Sequence, residues 1–148
     1  MKKYIHSAAV WGLVLLLCSG LAFAGGIQTQ FAMRGDVEVD VMKAKVSGDI
    51  LTIVLAYKNN GGYIKLEENA GDVHYIEKDS KKKYHLLKDE TGRYLGDPIS
   101  GSKLYVEIRK TGQRQMAWFK FPAPPEGVSK IDLSIPGVIP FDELPISR

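Results

Sequence analysis

Cysteine is nearly absent from this chain: among 148 residues there is one, Cys18, and it lies within the first 24. A domain built from the remainder has no disulfide, no thiol nucleophile and no thiolate metal site. Charge of either sign is not in large excess. The formal net charge of +3 falls to +1 once Lys2 and Lys3 are set aside, which excludes the strongly basic face of a nucleic-acid binder. Beyond residue 24 no apolar run approaches the roughly 18 to 20 residues that cross a bilayer. No stretch there carries the 3.6-residue period of an amphipathic helix, and no fixed period repeats. Catalytic signatures are missing too. Ser100 and Ser102 stand in a Gly-Ser loop without a G-x-S-x-G elbow, and Gly61-Gly62 is followed by neither a helix nor a P-loop lysine. These gaps lead us to expect a non-enzymatic chain with no cofactor.

The first 24 residues, by contrast, are strongly patterned. Lys2 and Lys3 make a basic n-region, Ala8 to Leu17 an apolar h-region, and Ala22-Phe23-Ala24 an A-x-A cleavage site ahead of Gly25-Gly26. That is the pattern of a bacterial secretory signal peptide, cleaved to leave a soluble periplasmic or secreted chain. Cys18 offers a lipoprotein alternative in which it is lipidated and kept, but Leu17 stands where that processing wants a small residue. Residues 25–148 suffice for one domain with its own core.

Within that domain the polar stretch 25–35 reads as a flexible lead. Val37, Val39 and Val41 then alternate with Glu38 and Asp40, a half-buried strand. Ile50 to Tyr57 is apolar at nearly every position, a central strand buried on both faces, and Ser47-Gly48-Asp49 supplies a hairpin turn before it. Asn59-Asn60-Gly61-Gly62 closes the central strand with residues that tolerate positive φ. Short strands are expected again at Tyr63 to Glu67, Val73 to Glu77, Tyr84 to Leu87, around Leu104, Val106 and Ile108, at Met116 to Phe121, and around Ile131, Leu133 and Ile135. Turns at 69–72, 78–83, 89–92 and 110–113 separate them. Val138, Ile139, Phe141, Leu144 and Ile146 in the tail are expected to plug an open end. About seven to nine short strands at regular spacing predict an all-β antiparallel β-sandwich.

Several stretches are similar to a known family. Asp72-Val73-His74-Tyr75-Ile76-Glu77-Lys78-Asp79, Leu87-Lys88-Asp89-Glu90-Thr91-Gly92, Ala117-Trp118-Phe119-Lys120-Phe121-Pro122-Ala123-Pro124-Pro125 and Ser134-Ile135-Pro136-Gly137 resemble uncharacterised immunoglobulin-like domains of bacterial envelope proteins. The resemblance implies an immunoglobulin-like β-sandwich in 36–148 without catalysis. Relatives of that type occur in lipoproteins and beside outer-membrane-protein-A-like domains. Residues 25–148 are expected to hold a single domain, and residues 1–24 are not expected to direct lipidation.

The candidate binding residues are few. Trp118 and Tyr105 can face outward as an aromatic patch, although Trp118 can equally fill the second side of a central strand. Lys81, Lys82 and Lys83, with Lys78, can meet anionic headgroups or wall polymers; a solvated hairpin tip explains them more simply. His74 and His85, on adjacent strands, form an alternative metal pair, but two histidines without a third ligand are more simply structural. Asp89 and Glu90 read as turn formers. Asp36, Glu38 and Asp40 read as a solvent-facing stripe. The expected partner is another envelope protein or cell-envelope component, met on a sheet face or a strand edge.

Overall fold

The computed structural model describes residues 25–148; the expected signal peptide and Cys18 lie outside the described residues. Twelve strands occur among the described residues, β1 (Gln28–Phe31), β2 (Val37–Ser47), β3 (Ile50–Asn59), β4 (Ile64–Asn69), β5 (His74–Glu77), β6 (Lys82–His85), β7 (Gly96–Asp97), β8 (Ile99–Ser100), β9 (Lys103–Ile108), β10 (Arg114–Pro122), β11 (Lys130–Ser134) and β12 (Phe141–Pro145). One 3-10 turn, Ala70–Asp72, precedes β5, and no α-helix occurs among the described residues. The fold is all-β.

The β2–β3 hairpin organises the molecule. Ser47 pairs with Ile50, so the connection is two residues, with Gly48 at φ 57°. That left-handed conformation at the first central position suits glycine and matches the strand twist. Val37, Val39 and Val41 point into the core; then one residue, Met42, is skipped between Val41 and Lys43. The bulge transfers the inward set to Ala44 and Val46 and so keeps the long strand buried on one side. β10 pairs along the whole of the other edge of β3, placing Ala117, Phe119 and Phe121 inward beside Leu55, Ile53 and Leu51.

The pairings build a five-stranded sheet in the order β1-β2-β3-β10-β7, a four-stranded sheet β12-β11-β5-β6 and a three-stranded sheet β4-β9-β8. All their ladders are antiparallel. The architecture is sandwich-like. Inward residues of all three sheets join one core, in which Tyr75 of the four-stranded sheet stands edge-on to Phe121 of the five-stranded sheet at 5.5 Å. Tyr75 stacks on Tyr84 at 4.6 Å and donates its hydroxyl to the Pro122 carbonyl at 2.8 Å.

Four features differ from the sequence expectation. The stretch 25–35 is no free lead, because Gln28 to Phe31 pairs with Val41 to Glu38. The Asn59–Gly62 turn uses no positive φ; instead the buried Asn59 side chain donates to the Gly62 carbonyl and accepts from the Gly61 amide. The second strand of the lysine hairpin starts at Lys82, two residues before Tyr84. In the tail, Phe141 and Leu144 are buried on a real strand, β12, whereas Ile139 is exposed.

Tyr57 is the one buried side chain among the described residues whose polar atom lacks a partner. Burial, and then the charge of Glu68, hold its phenol protonated far above its ordinary range. A buried hydroxyl without a hydrogen bond costs about 1 to 3 kcal/mol. Tyr57→Phe is therefore expected to unfold at a higher urea midpoint, by about 1 kcal/mol. A clear loss of stability would show that the hydroxyl does hold a partner.

Candidate binding face

The outer side of the five-stranded sheet carries two pairs of exposed apolar side chains, Trp118 and Met116 on β10 and Ile27 and Phe31 at the β1 edge, among charged ones. Register fixes its rows. Trp118 on β10 lies opposite Val54 on β3 and, on its other side, Asp97 on β7. One row along, Met116 lies opposite Ala56, and Ala56 opposite Asp40. Because side chains alternate along a strand, Trp118, Met116, Val54 and Ala56 all stand on the side away from the core. Ile27 and Phe31 occupy the same side at the β1 edge, where the Ile27 amide bonds the Val41 carbonyl. Trp118, Met116, Phe31 and Ile27 are 38%, 51%, 50% and 46% exposed. Ala56, by contrast, is only 1% exposed.

Charge borders this patch. Lys45, Thr52 and Lys120 form the next row, and Lys43 stands across Val54 from Trp118. The Lys120 ammonium lies 5.8 Å from the Trp118 ring centre. Between the β10 pair and the β1 edge, on β2 and β3, Glu38 pairs with Lys58 at 3.3 Å, and Asp40 accepts from the Thr29 hydroxyl at 2.6 Å, so both carboxylates have partners.

Trp118 is held firmly from below. Its neighbour Phe119 is fully buried, and Gly96 packs so closely that a Cβ there would meet Phe119 Cδ1 and Ile99 Cδ1 at 2.9 Å and the Trp118 carbonyl oxygen at 3.0 Å. Only glycine lets β7 approach β10 at this point. After Asp97 the chain turns through Pro98 into β8 and so passes from the five-stranded to the three-stranded sheet. An open depression of about 370 Å³ lies at this corner, lined by Asp97, Pro98, Ile99, Ser100 and Tyr105. Tyr105 is thus linked to Trp118 only through Asp97. It is half-buried, and the Lys65 ammonium sits 4.7 Å from its ring centre.

The structure divides the lysine cluster. Lys78 reaches Glu143 at 3.1 Å and Asp132 at 3.7 Å, on β12 and β11. Lys82 stands 4.8 Å from the Tyr84 ring centre, and Lys81 takes φ 58° in the turn. Lys81, Lys82 and Lys83 are exposed. The turn is organised by Glu77, which is 5% exposed and accepts from the Asp79 amide at 2.8 Å and from the Ser80 amide and hydroxyl. The Ser80 hydroxyl first, and then the two amides, hold its carboxyl below the ordinary value of 4.5. Since the folded state binds this proton less readily than the unfolded chain, the stabilisation is complete above pH 4.5 and fades as pH falls through the folded value. Glu77→Gln is expected to flatten that acid limb in a series of urea melts; an unchanged limb would contradict the assignment.

His74 and His85 are direct cross-strand partners, with ring centres 5.7 Å apart. No group of three metal-ligating side chains occurs among the described residues. Asp89 closes its turn by accepting from the Thr91 hydroxyl and amide and from the Arg93 amide. The Thr91 hydroxyl, then the Arg93 amide, hold its carboxyl below its usual range. Both depressed turn carboxylates, Glu77 and Asp89, therefore have structural causes. What sequence reasoning missed is the extent of the apolar face, because Ile27 and Phe31 fell in a stretch read as a lead.

No protein-family model matches the chain, and no curated protein or solved structure matches it either. No helix among the described residues is long and apolar enough to cross a membrane.

Proposed function

We propose that this chain is a non-catalytic, exported binding module that uses the outer face of its five-stranded sheet to hold another component of the bacterial envelope. The carrying observation is that Trp118, Met116, Phe31 and Ile27 are all exposed on that one face. Exposed apolar side chains concentrated on a single face mark an interaction surface far better than scattered ones do. Lys43, Lys45 and Lys120 along one border fit a partner whose apolar contact is edged by anionic groups. The export half of the reading rests on the leader pattern of residues 1–24.

Two further points support the reading. The fold is all-β with an extensive core, a rigid platform on which an aromatic anchor is pre-positioned. The carboxylates held below their ordinary pKa, Glu77, Asp89 and Glu143, owe this to turn hydroxyls and amides and to surface lysines. Membership of the immunoglobulin-like envelope family belongs to the same proposal, carried by the sequence stretches quoted above. The test is a crosslinking pull-down from an envelope fraction, comparing the parent protein with a Trp118→Glu, Met116→Glu variant. Capture of one component by the parent and its loss in the variant is the expected result. Equal capture by both would overturn the assignment of the face.

A further inference from the structure

We propose that His74 and His85 form a two-histidine site for a divalent transition-metal ion, with Cu²⁺ the tightest-bound of the common ones. The two residues occupy the same rung of the β5–β6 ladder. Their ring centres are 5.7 Å apart and the planes are inclined by 42°. With metal–nitrogen bonds of about 2.0 to 2.1 Å, two imidazoles sharing one ion have centres roughly 5 to 6 Å apart. The apo spacing already falls there.

Hydrogen bonding assigns the nitrogens. His74 Nδ1 lies 2.7 Å from the Asp72 carbonyl oxygen, and His85 Nδ1 lies 3.1 Å from the Gly71 carbonyl oxygen. A carbonyl oxygen only accepts, so each Nδ1 carries the proton and donates. In each neutral ring the lone pair is then on Nε2. Metal-binding histidines are oriented in this way, the far N–H tied to a backbone carbonyl. Here both ties end on consecutive residues of one 3-10 turn. Since both rings hang from that turn by Nδ1, both Nε2 atoms are directed away from it.

The anchoring turn is itself fixed. Asn69 accepts from the Gly71 amide at 3.1 Å and donates to Asp72 at 3.1 Å, and the Val73 amide bonds the Ala70 carbonyl. Ala70 is fully buried. The outer shell of the site is therefore assembled without metal. His85 is exposed and His74 half-buried, so an ion reaches them from solvent. With no third ligating side chain grouped there, water or a ligand from outside fills the other positions. Imidazole pairs favour Cu²⁺ over Ni²⁺ and Zn²⁺ in the usual divalent order. The site is independent of the binding face, since it lies on the four-stranded sheet.

The experiment is calorimetric titration of the purified protein with CuSO₄, with electron paramagnetic resonance of the complex at one equivalent. The expected result is one ion per chain and a spectrum showing two imidazole nitrogens. His74→Gln and His85→Gln should each weaken binding at least about tenfold, because loss even of an outer-shell partner of a ligand costs that much. The spectrum of the unaltered protein keeps the test valid should a variant fold poorly. Absence of binding, a single-imidazole spectrum, or affinity unchanged in either folded variant would overturn the site.

Discussion

Phe121→Ala is expected to lower the free energy of unfolding by about 3 to 5 kcal/mol, the range for truncating a buried phenylalanine. Phe121 is fully buried on β10 and pairs with Leu51 on the central strand. Its ring meets Tyr75 edge-on, and Tyr75 is fixed twice over, by stacking on Tyr84 and by its bond to the Pro122 carbonyl. A neighbour held in this way cannot move into the space left behind. The cavity should therefore remain largely open, which places the cost toward the upper end of the range. Phe31→Ala supplies the contrast, because Phe31 is half exposed at the β1 edge. It should change stability by no more than about 0.5 kcal/mol. Urea unfolding of both variants checks the pair, and similar losses from the two would mean that the core has been misplaced.

The second large effect concerns binding. Replacing Trp118 and Met116 together by alanine should weaken capture of the partner by about 30-fold or more, equivalent to about 2 kcal/mol, as expected for a central aromatic anchor. Stability should fall less than for Phe121→Ala, since neither residue belongs to the core. The divergence of the two readouts is the informative result. Loss of stability with binding intact would show that Trp118 works as packing, and no change in either would remove the face from consideration. A binding assay with the captured component, run beside thermal unfolding, separates these outcomes.

Much of this was legible from residue order, and the failures have physical causes. Ile50 to Tyr57 could be read as central because both of its sides are apolar, and β10 pairs with its whole length. β1 could not, because its pattern is inverted: Gln28 and Gln30 face inward while Ile27 and Phe31 face solvent. An edge strand tolerates that inversion where a central one does not. β12 escaped notice because the ladder register shifts between Ile131 and Leu133, and Glu143 takes φ 53°. Its buried residues, Phe141 and Leu144, are then three positions apart and show no period of two. The alternation along β10 put Trp118 opposite Phe119, yet it could not say whether a second layer covers that side. Only the exposure of Trp118 and Met116 shows that side open.

The candidate site follows the same division. Placement of His74 and His85 on adjacent strands was read from strand spacing, whereas their direct pairing and the Nδ1 bonds come from the fold. Lys78 looked like part of a basic cluster because its neighbours are lysines. Its partners, Asp132 and Glu143, are 54 and 65 residues away in sequence, so the ion pairs are a product of the fold. Such exposed pairs add little to stability, about 0 to 1 kcal/mol.

The most direct test of the central claim is photocrosslinking from two positions on opposite sheets. A photoreactive side chain is placed at Met116, on the outer face of the five-stranded sheet, or at Lys83, exposed on the four-stranded sheet. After mixing with envelope fraction, a defined crosslinked product from position 116 and none from position 83 is the expected result. A product from 83 alone, or equal products from both, would contradict the claim that the Trp118 face holds the partner.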